Sequence, residues 1–110
     1  MKMAILLKSG PRTDEAKAAI RIASEILEQG HEAHVYLLQE AVRYCHPGAA
    51  ISDRKALEKL MDKGLNVHVL ASDAQLRGVD VSCEEGDFVK GSYDSLIELL
   101  ETSDRVVGIL

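Results

Sequence analysis

Gly64-Leu-Asn-Val-His-Val-Leu-Ala-Ser-Asp-Ala-Gln-Leu-Arg-Gly78 combines a helix end, a strand and the start of a second helix. Gly64 is placed to end the preceding helix in a left-handed conformation. The apolar run at residues 67–70 predicts a strand that is covered on both faces. Ser72 and Gln75 have the spacing of a capping box, which predicts that Ser72 is the N-cap of a short helix.

The turn at residues 70–73 follows the carboxyl end of this strand. Open α/β sheets bind their ligands in the crevice outside the carboxyl ends of the strands. We therefore predict a binding cleft at this turn, shared with the ends of the neighbouring strands. The predicted cleft residues are Ser9, Gly10, Cys45, His46, Ala71, Ser72 and Asp73.

Length and composition indicate one soluble globular domain over residues 1–110. Aromatic residues make up only 4% of the chain and the net charge is -5, which argues against nucleic acid as a partner. The apolar stretch at residues 3–7 is too short for a secretory signal or a membrane span. We therefore expect a cytoplasmic protein without membrane contact.

Strands and helices alternate along the chain, which predicts a three-layer α/β/α sandwich on a mostly parallel sheet. Residues 79–83 alternate between apolar and polar side chains, which is typical of a strand at the sheet edge. A long loop is expected over residues 39–52, with a helical turn within residues 40–44. The other predicted strands are residues 3–7, 33–38, 67–70 and 105–110.

Three helices have recognisable caps at their amino ends. Thr13, Ser52 and Ser92 are each followed by an apolar stripe at helical spacing. For the helix after Ser52, we expect Ala56, Leu57, Leu60 and Met61 to face the core. For the helix after Ser92, the inward residues are expected to be Tyr93, Leu96, Ile97 and Leu100.

Four short motifs are spread over the second half of the chain: Gly64-x-x-Val67-x-Val69, Ala74-x-x-Arg77-Gly78-Val79, Gly91-x-x-x-Ser95-Leu96 and Ser103-Asp104-Arg105-Val106-Val107. With them, nearly the whole chain resembles the DsrE/DsrF/DsrH family, which includes YchN-like proteins and the TusB, TusC and TusD sulfur-relay subunits. The resemblance implies a five-stranded sheet in the order 4-3-2-1-5 and assembly into trimers or hexamers, with itself or with related subunits. It also implies a role in intracellular sulfur relay, with a sulfur donor protein as a partner.

Sulfur-carrying members of that family have a cysteine just after the third strand, but Leu70-Ala71-Ser72-Asp73 contains none. Cys45 is the remaining candidate for a persulfide carrier, because His46 beside it could lower the thiol pKa. The competing interpretation is an unreactive loop cysteine. Cys83 is interpreted as a small apolar residue of the edge strand.

The four histidines do not have the spacing of a zinc site, and no metal or other cofactor is expected. His31 and His34 are three apart on a strand and should point to opposite faces. His68 is expected to be a buried or half-buried histidine with its hydrogen bonds satisfied.

Two functional hypotheses follow, and a third is weaker. The chain is either a sulfur-relay relative, with or without catalysis, or a small-molecule-binding or oligomer-assembly module without catalysis. A small α/β enzyme that works through Asp73 and a histidine is the third, although no pairing of base and nucleophile supports it.

Overall fold

A computed structural model describes residues 1–45, 51–79 and 88–109, with the backbone alone for residues 51–53. Strands and helices alternate, as expected, and a 3-10 helix follows the second strand. The strands are β1 (Lys2–Leu7), β2 (Glu32–Leu37), β3 (Asn66–Leu70), β4 (Phe88–Gly91) and β5 (Arg105–Ile109). The helices are α1 (Asp14–Glu28), the 3-10 helix (Gln39–Cys45), α2 (Ile51–Asp62), α3 (Ala71–Leu76) and α4 (Tyr93–Thr102).

The five strands form one sheet in the order β4-β3-β2-β1-β5, and all four neighbouring pairs are parallel. This confirms the predicted α/β class and the strand order that the resemblance implied. Because β1 to β4 follow one another across the sheet, right-handed connections place α1, α2 and α3 on one face. The connection from β4 returns to the opposite edge, so α4 covers the other face.

The two faces carry cores of very different size. Alternate residues of β1 divide between them, with Ile5 and Leu7 on the α1–α3 side and Ala4 on the α4 side. Within the described ranges, the buried residues of the core on the α4 side are Ala4, Tyr36, Leu70 and Leu99. One helix therefore covers this face only in part, and polar side chains have room on it.

The amino end of α1 agrees with its sequence. The Thr13 hydroxyl accepts a hydrogen bond from the Ala16 N–H at 3.1 Å, and Asp14 and Glu15 occupy the first turn. Small side chains at Ala16, Ala19 and Ala23 are buried, which brings the helix close to the sheet. Gly30 follows the helix with a positive φ of 82°, where a side chain would be strained.

The edge strand differs from the prediction. The strand that pairs with β3 is Phe88–Gly91, whereas the alternating pattern had favoured residues 79–83. Val79 is buried but belongs to no strand, and residues 80–83, including Cys83, lie outside the described residues. Periodicity did not locate β4, because an edge strand of four residues is too short to show a clear period.

The starts and faces of two helices also differ. Helix α2 already includes Ile51, so Ser52 lies inside it rather than at its N-cap. Ala56 is exposed, while Leu57 and Leu60 are buried as expected.

On α4 the buried residue is Leu99, and Leu96 packs partly against the same small core. Tyr93 and Ile97 were predicted to face inward but are 60% and 53% exposed. The apolar stripe of α4 is wider than the small core it covers, so its outer edge meets solvent. No helix among residues 1–45, 51–79 and 88–109 is long and apolar enough to span a bilayer.

Candidate functional site

A cleft of about 560 Å³ lies at the carboxyl ends of β3 and β4. The connection after β3 goes to one face of the sheet and the connection after β4 goes to the other. Such a switch point is where open α/β sheets bind ligands. The described lining residues are Ala71, Ser72, Ala74, Gln75, Val79, Lys90, Gly91, Ser92 and Tyr93.

On one side of this switch-point cleft, β3 passes into α3 without an intervening loop. Leu70 is the last strand residue and also the N-cap, with extended backbone angles and no capping side chain. Ser72 therefore lies in the first turn, and the prediction that it caps α3 is wrong. Its Oγ atom is buried and has no hydrogen-bond partner in the part of the chain that the structure describes. An unpaired buried hydroxyl costs about 1–3 kcal/mol.

On the other side, the start of α4 has its hydrogen bonds satisfied. Ser92 Oγ accepts from the Ser95 N–H at 3.2 Å, and the Ser92 N–H donates to Ser95 Oγ at 2.9 Å. Beneath them, the buried Tyr36 hydroxyl donates to the Ser92 carbonyl oxygen at 3.0 Å and lies 3.0 Å from Ser95 Oγ. Burial raises the pKa of Tyr36, so its hydroxyl keeps its proton for these bonds.

The predicted residue Asp73 faces away from the switch-point cleft, toward the 3-10 helix. Its Oδ2 atom accepts a hydrogen bond from the Gln39 N–H at 2.8 Å, where Gln39 has a positive φ of 48°. Arg77 pairs with Glu40 of the same 3-10 helix at 2.9 Å. These contacts join α3 to the 3-10 helix and give both polar side chains a structural role.

The other predicted cleft residues divide between lining and remote positions. Ala71 and Ser72 line the switch-point cleft. Gly10 lies beside Glu40, and neither it nor Ser9 belongs to the described lining residues. The 3-10 helix, which periodicity did not reveal in full, lies between the end of β1 and the end of β3. His46 lies outside the described residues.

Comparison with family models gives a match to the DsrE/DsrF-like family over residues 1–108. The chain belongs to the DsrE/DsrF-like family. A search of curated proteins gives no significant match.

Two solved structures share this DsrE/DsrF-like fold. The YchN protein from E. coli superposes with a TM-score of 0.83 at 20% identity, covering 98% of each chain. A conserved protein of unknown function from Bacteroides thetaiotaomicron superposes with a TM-score of 0.75 at 13% identity, covering 97% of this chain and 93% of its own. Identities this low establish the fold alone.

Cys45 is the predicted candidate for a persulfide carrier. It is the last residue of the 3-10 helix and is 7% exposed. Burial raises its thiol pKa to about 12, and the nearby Arg54 charge lowers it only in part. Because the thiolate is the nucleophile, a thiol with this pKa is about a thousandfold less ionised at neutral pH than an ordinary cysteine.

Sequence reasoning missed a row of polar side chains on the α4 face of the sheet. His34 Nε2 is 2.5 Å from Glu32 Oε2, and His34 Nδ1 is 2.9 Å from His68 Nε2. Spacing along the chain could not reveal this, because the histidines come from different strands that meet only through the register of β2 and β3. His68 is half-buried, as predicted, but its Nε2 atom alone has a hydrogen-bond partner among the described residues.

These side chains do not form a recognisable metal centre. Within the described ranges, no group of three or more histidine, cysteine, aspartate or glutamate residues is placed to hold a metal ion.

Proposed function

We propose that this chain is a non-catalytic DsrE/DsrF-like subunit, which self-associates and binds a small molecule in the switch-point cleft. The observation that carries the proposal is the cleft itself. It lies where the family's sulfur carriers hold their cysteine, yet its described lining contains no thiol. Serine at position 72 cannot hold a persulfide, and its hydroxyl is buried.

The burial and the raised thiol pKa of Cys45 support a non-catalytic role. A persulfide carrier needs an accessible thiolate, and Cys45 is buried with a raised pKa. The alternative is that Cys45 carries sulfur after the 3-10 helix opens. That alternative makes the opposite prediction in the same experiment, because it requires Cys45 to accept a sulfur atom.

Self-association is supported by apolar side chains on the outer side of α4. Tyr93 and Ile97 lie one turn apart and are more than half exposed, and Val89 of the neighbouring edge strand is 48% exposed. Exposed apolar groups of this kind mark protein–protein interfaces. We take a second copy of this chain as the partner, in the trimer or hexamer that the resemblance implied. The cytoplasmic location expected from the sequence stays a prediction.

The sulfur hypothesis is tested by incubating the reduced protein with a cysteine desulfurase and cysteine, followed by intact mass measurement and peptide mapping. We expect no added sulfur on Cys45, with a known sulfur acceptor as the control for donor activity. The variants Cys45→Ser and Cys83→Ser assign any sulfur to one thiol. One added sulfur on Cys45, lost in Cys45→Ser, would establish the carrier function and overturn the proposal.

Self-association is tested by light scattering coupled to size-exclusion chromatography. Ile97→Asp is expected to shift the protein to a smaller species, because a charge would be buried in the interface. Glu101→Asp is the matched control, since Glu101 is exposed on the same helix and the change keeps its charge. A monomeric unmodified protein at micromolar concentration would contradict the assembly part of the proposal.

A further inference from the structure

Glu32, His34 and His68 form a chain of hydrogen bonds, here named the histidine relay, that runs across the sheet beneath α4. Glu32 and His34 are two residues apart on β2 and so share one face, and His68 lies beside them on β3. The His68 ring is stacked on the Tyr36 ring, with 5.5 Å between centroids and 4° between planes. Both imidazoles are therefore held in place by hydrogen bonds and packing.

The proton positions in the relay follow from its exposed end. The hydrogen bond from His34 lowers the pKa of Glu32, so this carboxylate is charged and only accepts. His34 Nε2 must then carry a proton and donate. When His34 is neutral, its Nδ1 accepts from the Nε2–H of His68. The second ring nitrogen of His68, Nδ1, is then left with a lone pair.

His68 is half-buried and lines a second cleft. No hydrogen bond to its Nδ1 atom is found among the described residues, and that atom is not one of the buried unpaired side-chain atoms found there. This second cleft has a volume of about 240 Å³. Its described lining comprises Lys2, His34, His68, Val89, Lys90, Ser95, Glu98, Leu99 and Thr102.

The charged groups around the second cleft come from every element that packs there. Lys2 of β1 donates from Nζ to Thr102 Oγ1 at 2.7 Å, which holds its ammonium group at the cleft wall. Lys90 of β4 and Glu98 of α4 also line the cleft. The negatively charged Glu32 lies at the far end of the relay, where it accepts the hydrogen bond from His34.

We propose that the second cleft binds a small oxyanion together with one proton, which the histidine relay takes up from solvent. The added proton goes to His68 Nδ1, which changes from acceptor to donor while both bonds of the relay are kept. The resulting N–H and the Lys2 ammonium then face the anion. No covalent bond is made or broken, and this site is separate from the switch-point cleft and its proposed function.

Anion binding in the second cleft should weaken as the pH rises. Burial is the main cause that lowers the pKa of His68 to about 4 in the empty site. A bound anion favours the charged ring, so by linkage anion and proton strengthen each other's binding. Above the pKa of the empty site, the affinity should fall about tenfold for each pH unit.

The test is a titration with sodium sulfate at pH 5, 5.5, 6 and 6.5, followed by imidazole ¹⁵N chemical shifts at constant ionic strength. Sulfate represents a free inorganic oxyanion, and N-acetylglycine in a parallel titration represents a carboxylate on a small molecule. Saturable shifts of the His68 signals, with about tenfold weaker binding per pH unit, are the expected result. Binding that does not change with pH would overturn the proposal, as would the absence of saturable shifts.

Single substitutions distinguish the contribution of the His68 proton to anion binding from that of the fixed charges on Lys2 and Glu98. Lys2→Gln should weaken sulfate binding about fivefold at every pH and leave the pH slope intact, whereas Glu98→Gln should strengthen it. His68→Gln should remove the slope, and His31→Gln is the matched control that should retain it. An unchanged slope in folded His68→Gln protein would overturn the proposal. So would saturation of the relay by Zn²⁺ with no response to sulfate, because the cluster would then be a metal site.

Discussion

Two helices begin beside the switch-point cleft, and they begin in opposite ways. At the start of α4, Ser92 and Ser95 exchange reciprocal capping bonds, and the Tyr36 hydroxyl supports them from below. At the start of α3, no side chain caps the helix, and the buried Ser72 hydroxyl has no partner among the described residues. A conventional cap thus adjoins an uncapped helix start within one cleft. The difference implies that the α4 side of the cleft is the more stable wall.

The largest expected effect comes from Gly91→Ala, which tests whether the α4 side is as tightly built as this comparison requires. A Cβ at position 91 would overlap the Tyr36 hydroxyl and lie 2.8 Å from Ser95 Oγ. We expect a loss of about 3 kcal/mol in the free energy of unfolding, because the buried tyrosine cannot move without breaking its bonds. Urea denaturation measures this loss.

Gly10→Ala is the matched control for Gly91→Ala. Its Cβ would be 3.6 Å from the nearest atom, the Glu40 carbonyl oxygen, which is ordinary van der Waals contact. Its free energy of unfolding should change by less than about 1 kcal/mol. Equal losses in the two variants would show that the region around Tyr36 adapts easily.

The second prediction concerns pH and His68, whose ring packs on Tyr36 beneath the start of α4. The pKa of His68 is about 4 in the folded protein, against about 6.5 when unfolded. Between these values the unfolded chain binds more protons, so stability is fully present above pH 6.5 and falls as pH drops toward 4. After allowance for solvent screening of a half-buried ring, the loss is about 1–2 kcal/mol.

Urea denaturation at several pH values between 4 and 7 measures this contribution. The difference between the unmodified protein and His68→Gln isolates it, because carboxylates such as Glu32 titrate in both proteins. His31→Gln should leave the pH dependence unchanged. If His68→Gln also leaves it unchanged, His68 titrates normally and the tight packing on the α4 side does not extend to its ring.

The third prediction removes the cap of α4 itself. Ser92→Ala loses the acceptor for the Ser95 N–H, and we expect a loss of about 1 kcal/mol in the free energy of unfolding. Ser92→Asp retains an acceptor at the N-cap and should retain most of the stability. A full loss in Ser92→Asp would mean that the Ser92 hydroxyl itself, rather than an acceptor at this position, stabilises the helix start.

The two helix starts also show which parts of the fold could be predicted from the sequence. The elements β1, α1 and β2 followed the predictions closely, because long apolar stripes and the Thr13 cap are determined locally. The loop predicted for residues 39–52 instead begins with a seven-residue 3-10 helix. Ser92 was predicted correctly because a loop residue precedes α4 and is free to cap it. Ser72 was not, because β3 continues directly into α3 and takes the N-cap position with Leu70.

Other features depend on contacts between distant residues. The His34–His68 contact is set by the register of two strands, and Cys45 acquires its raised pKa from packing around the 3-10 helix. No local pattern contains either one. Of the predicted cleft residues, Ala71 and Ser72 line the switch-point cleft, whereas Asp73 and Gly10 lie against the 3-10 helix.

The smallest expected effect has the opposite sign. Ser72→Ala removes a buried hydroxyl that has no partner, so we expect the free energy of unfolding to rise by about 1 kcal/mol or less. Urea denaturation under the conditions used for Ser92→Ala compares two serines, each near the start of a helix. A loss of about 1 kcal/mol in Ser72→Ala would mean that Ser72 has a partner after all, and the contrast between the two helix starts would disappear. A gain would leave α3 as a helix start that carries an unsatisfied buried hydroxyl, and the contrast with the capped start of α4 would stand.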